Sequence, residues 1–155
     1  MPLNSTSSQD PENSQNREAS RRFFIEVWGK YSAGSVLQPL ESLIAGVILQ
    51  HAEYHSLLED DSMAIETDFD PEAGESNPFL HMGLHITIQE QIGADRPLGI
   101  RELYEIGLER IGDPHMLEHR IMECLGEVLW RAQRDQTMPD EGAYLDGVRR
   151  IVGFS

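Results

Sequence analysis

Six histidines, His51, His55, His81, His85, His115 and His119, form three His-x-x-x-His pairs with none left over. At this histidine content chance supplies roughly 0.2 such pairs per chain, so three call for a physical reason. Residues four apart lie one above the other on a helix face. Such pairs on facing helices can point imidazoles at one ion or at two adjacent ions. Clustered imidazoles without metal would each need a hydrogen-bond partner, and protonating them would bring like charges together. A divalent cation instead accepts one ring lone pair from each. The chemistry expected is therefore metal binding, with the opposite ring nitrogens held by carboxylates or carbonyls.

Four carboxylates are candidates beside them. Glu53 lies between the first pair, Glu90 follows His85 by five, Glu118 adjoins His119 and Glu123 follows it by four. The expected ligand set is His51, His55, His81, His85, His115 and His119 with Glu123 and Glu90; Glu118 and Glu123 are candidate bases. So many donors exceed the needs of a four-coordinate zinc and suit a dinuclear centre, or a single ion with a rich outer shell. Imidazole with carboxylate fits iron or zinc best and manganese less well. Cys124 adjoins this stripe but is turned about 100° from Glu123, as expected of a small core residue. His115-Met116-Leu117-Glu118-His119 also spells H-x-x-E-H, the inverzincin metallopeptidase pattern, but no strand that could align a substrate is visible.

These residues need helices to position them. Phe23, Phe24, Val27, Trp28 and Tyr31 predict a first helix over 17–32, ended by Gly34. Pro39 opens a second, whose stripe Leu40, Leu43, Ile44, Val47, Ile48 runs on through His51, Tyr54, His55 and Leu58. Asn77-Pro78 starts a third over 78–92, carrying His81, Leu84, His85, Ile88 and Ile92. A turn at 95–99 leads to a fourth helix over 99–111. Asp113-Pro114 caps a fifth over 114–135, with His115, His119, Met122 and Leu125 inward. Thr137 to Asp140 resembles a capping box opening a short last helix with Tyr144, Leu145 and Val148. The fold expected is all-α: a bundle of about five to six helices, with residues 1–16 a disordered polar tail and 17–152 a single domain. The acidic stretch 59–76 holds Asp68, Asp70 and Glu72 but lacks the order of a calcium loop.

The formal charge is −15, from 27 acidic and 12 basic residues. Phosphate binding needs a basic footprint, so nucleic acid and anionic membranes are not expected partners. One cysteine excludes an internal disulfide. The polar start lacks the apolar core of a signal peptide, and no apolar run is long enough to span a membrane, so a cytoplasmic location is expected.

The segments FFIEVWGKY, LQPLESLIAGVILQHAEYH, NPFLHMGLHITIQEQ, DRPLGIR and GDPHMLEHRIMECLGEVLWRAQRD resemble a bacterial family, domain of unknown function eighteen-forty-one, over most of residues 20–150. The resemblance implies kinship of fold and brings no activity with it. It also implies a proline after the first histidine of the segment that here reads HAEYH; this chain has Ala52. A position that tolerates proline implies a helix kinked or ended near His51. A looser likeness is to hemerythrin-like di-iron bundles, whose spacings are matched by His51/His55, His119/Glu123 and His85/Glu90 in a different chain order.

Three functions fit this pattern. One is a dinuclear non-haem iron protein handling dioxygen. The second is a zinc or manganese hydrolase with Glu118 or Glu123 as base. The third is a non-catalytic protein that stores metal, is stabilised by it or senses pH. The pattern names no particular small-molecule substrate.

Overall fold

The computed structural model describes residues 11–60 and 77–153. The calcium-loop question at Asp68, Asp70 and Glu72 falls outside them. Among the described residues there are seven α-helices, one 3-10 turn and no strand. The order is α1 (Pro11–Ser32), α2 (Pro39–Leu49), the 3-10 turn (Ala52–Tyr54), α3 (His55–Glu59), α4 (Pro78–Ala94), α5 (Ile100–Ile111), α6 (Pro114–Asp135) and α7 (Glu141–Ile151). The chain divides into two compact units, Met1–Phe79 and Leu80–Ser155. No described helix is long and apolar enough to cross a membrane.

In the first unit α1 begins at Pro11, six residues before the expected start, and proline suits a first helical turn. Phe24, Val27 and Trp28 of α1 pack with Ile44, Ala45, Val47 and Ile48 of α2, Leu58 of α3 and Phe79 as the buried apolar set. Phe23 and Tyr31 stay partly exposed at its rim, Tyr31 stacked on Trp28 at 5.5 Å. Gly34 ends α1 as expected, at φ 73°.

Glu41 ties α1 to α2. One carboxylate oxygen accepts from Lys30 Nζ at 2.8 Å, and the other accepts from the Gln38 N–H at 2.9 Å, closing a capping box. The Lys30 hydrogen bond, then the Gln38 N–H, hold this carboxyl below the ordinary carboxylate value. A depressed folded-state value means the stabilisation is present above the ordinary value and fades as pH falls through the folded one. Glu41→Gln is therefore expected to be less stable than wild type at neutral pH, with the two melting curves converging in acid. Thermal melts across the acid range check this.

The second helix is not continuous through the first histidine pair. α2 ends at Leu49, His51 leaves the helical region (φ −125°, ψ 65°), and α3 starts only at His55. This corrects the expectation of one stripe over 39–58, and it splits one predicted helix in two.

The second unit is built on α4 to α7. Ile88, Ile100, Leu103, Leu117, Ile121, Met122, Leu125, Val128, Tyr144, Val148 and Val152 form its core. Asn77 Oδ1 accepts from the Phe79 N–H at 3.0 Å at the start of α4. α6 runs over the expected residues: Asp113 Oδ1 accepts from the His115 and Met116 N–H groups, and Pro114 fills the first position. α7 starts later than its predicted capping box. Asp140 is itself the cap, accepting from the Ala143 N–H at 3.0 Å. α5 lies close against α6 at Gly107, where an added Cβ would sit 2.8 Å from a methyl of Leu117 and 2.8 Å from one of Val152.

Candidate metal centre

α4 and α6 carry four of the six histidines. His81 and His85 are one turn apart on α4, and their Nε2 atoms are 3.2 Å from each other. His119 on α6 brings its Nε2 to 3.1 Å from that of His85. A ligand nitrogen from each of His81, His85 and His119 thus falls within one 4.8 Å sphere of mutual distances. Two imidazole nitrogens bound to one tetrahedral zinc at 2.0–2.1 Å are about 3.3 Å apart. The observed spacings are close to that.

Burial is graded across the set. His85 is fully buried, His81 and His119 are half-buried, and His115 is exposed. The His115 ring nonetheless touches the cluster, 4.1 Å from the His119 ring and stacked at 5.6 Å on that of His85.

The other nitrogen of His85 is held from behind. Its Nδ1–H donates to Glu118 Oε1 at 2.8 Å, and Gln89 Nε2 donates to the same oxygen at 3.2 Å. A carboxylate only accepts, so a proton sits on Nδ1, and in the neutral ring the lone pair on Nε2 faces His81 and His119. This is the carboxylate–histidine arrangement that orients metal ligands. Tyr104 is nearby: burial, and then the charge of Glu118, raise its phenol above the ordinary value. Glu118→Gln offers a carbonyl oxygen in place of a charged one. It is expected to weaken metal binding about 10-fold or more while the fold persists. A chelator competition titration with zinc would show it.

The expected carboxylate ligands go elsewhere. Glu90 and Glu123 are exposed and do not join the histidine set among the described residues. On an ideal helix Glu118 lies about 20° from the direction of the core residue Leu125, whereas Glu123 lies about 160° from it. Glu123 instead lines a separate cleft of about 590 Å³ with Arg120, Cys124, Glu127, Arg131 and Arg150. Cys124 is half-buried against Gly147, with its thiol donating to the Tyr144 carbonyl at 3.7 Å, and burial raises its pKa. Glu53 is exposed. The H-x-x-E-H motif does not act as a unit: His119 joins the cluster, Glu118 serves His85, and His115 is at the surface.

In the first unit, His51 Nδ1–H donates to the Val47 carbonyl at 2.7 Å, and His55 Nε2–H donates to that of Ile48 at 2.8 Å. Both acceptors lie in the last turn of α2, where each also accepts a backbone N–H, from Gln50 and His51 respectively. The carbonyls thereby fix an N–H on Nδ1 of His51 and on Nε2 of His55. His55 also packs on Trp28, ring centroids 4.4 Å apart.

The sequence singled out Glu118 as a candidate base without its bond to His85, and it did not single out Gln89. Gln89 was findable, being one turn beyond His85 on the same face. No curated protein and no solved structure matches the chain. Residues 16–150, which carry α4, α6 and all six histidines, match the profile of the family described as Domain of unknown function (DUF1841), and the chain belongs to that family.

Proposed function

We propose that this protein binds a divalent transition-metal ion through Nε2 of His81, His85 and His119, with Glu118 fixing His85 as a ligand. One observation carries the reading. His85 Nε2 has a single in-plane lone pair, yet two other imidazole nitrogens approach it within 3.2 Å. Two N–H donors would have to share that lone pair. A cation receives one lone pair from each ring, which satisfies all three. Imidazole donors suit zinc and iron(II), and the ligands are neutral, so the charge of the ion is offset by Glu118 behind His85.

The geometry favours a single ion over the dinuclear centre, since Glu90 and Glu123, the carboxylates expected to bridge, are exposed. Glu118 as a hydrolytic base is less favoured too, because its Oε1 already accepts from His85 and Gln89. Equilibrium dialysis against zinc tests the proposal. About one ion per chain is expected, as for a four-coordinate site, and no retained zinc at micromolar free metal refutes it. The sequence reading in which all three pairs serve one centre adds His51 and His55 as ligands. Under it His51→Ala retains less zinc than wild type in the same dialysis. An unchanged ratio confines the ion to His81, His85 and His119.

A further inference from the structure

We infer that His115 and His119 form an outer chelate that captures the metal ion from solvent before it passes to His81, His85 and His119. The inference rests on the proposed metal site and adds a loading route to it. Three observations carry it. His115 is exposed although its ring contacts the cluster. His115 and His119 are four apart on the regular helix α6, with ring centroids at 4.1 Å, the placement that lets two imidazoles grip one ion on a helix surface. Exposure then falls in sequence from His115 through His119 to the fully buried His85, whose ring lies 4.9 Å from that of His119.

His119 belongs to both sets. An ion held first by His115 and His119 keeps one protein nitrogen while it exchanges His115 for His85 and His81. No step then requires a bare ion to cross the protein, which is what makes transfer by ligand exchange fast. His115 itself need not be part of the final coordination. Its side chain is at the surface in the first turn of α6, so its removal leaves the core untouched.

The test is rapid mixing of the full chain with cobalt(II) alone, followed by its visible absorbance, for wild type, His115→Ala, His115→Gln and His85→Ala. For both His115 variants the expected loading rate falls about tenfold, within the roughly one to three decades over which association rates vary among variants of one binding surface, while final cobalt content stays at the wild-type level. Equal loading rates for wild type and the His115 variants overturn the inference. So does a loss of final cobalt matching that of His85→Ala, which would make His115 an ordinary ligand. A wild-type chain that takes up no cobalt overturns the metal site itself, a distinct result.

Discussion

Replacing His85 by alanine is expected to abolish specific metal binding, with affinity falling more than about 100-fold, beyond the 10- to 100-fold usual for losing a ligand's outer hydrogen-bond partner. His85 lies within hydrogen-bond distance of His81, of His119 and of the buried carboxylate Glu118. Its loss removes the central donor and strips Glu118 of its closest partner. A buried acceptor left short of partners costs about 1–3 kcal/mol, so the metal-free variant should also melt earlier. Metal dependence separates the two effects. Zinc at about 100 times its dissociation constant adds about 2.7 kcal/mol to a protein that binds it only when folded. That increment should raise the wild-type melting temperature and leave His85→Ala unmoved. His119→Ala, at a half-buried position, should lose the increment with less damage to the metal-free fold.

The second large effect lies in the core of the second unit. Leu117→Ala is expected to cost about 2–5 kcal/mol, the range for emptying a leucine-sized space in a packed interior. Leu117 is fully buried and fills the gap that Gly107 leaves on α5. Gly107→Ala alone should cost about 1–3 kcal/mol, because the new methyl meets Leu117 and Val152 at distances their side chains must yield to. The double variant should be less destabilised than the sum of the two, since shortening Leu117 removes one of the collisions. Urea unfolding of the four proteins gives the coupling directly. Strict additivity would mean that α5 and α6 do not pack through this contact.

Much of this architecture was legible in local chemistry. α6 matches its expected span because Asp113 and Pro114 specify its start and because Leu117, Ile121, Leu125 and Val128 keep one face apolar. α4 was similarly marked by Asn77-Pro78. The break after Leu49 was not visible in periodicity. His51, Tyr54 and His55 extend the stripe of α2 at helical spacing, and Ala52 is a good helix former. The hint lay in the family resemblance, which implies proline at that position. The structure uses the break to turn both rings onto the carbonyls of Val47 and Ile48.

The site was half legible for a related reason. Pairing by spacing picked out His81, His85 and His119, whose ring nitrogens lie close together, but it could not rank the carboxylates. A stripe stepped by four residues drifts about 40° at each step, so from His115 through His119 to Glu123 it leaves the buried face. Orienting α6 by its apolar residues, instead of by its histidines, places Glu118 inside and Glu123 outside. The same choice would have placed His115 no better, since its exposure comes from its position in the first turn and not from its angle.

X-ray absorption at the zinc edge of the loaded chain asks the central question most directly. The account predicts imidazole nitrogens in the first shell at about 2.0–2.1 Å, with the outer-shell scattering pattern of several histidine rings. A first shell made of oxygen, without that histidine pattern, would contradict it.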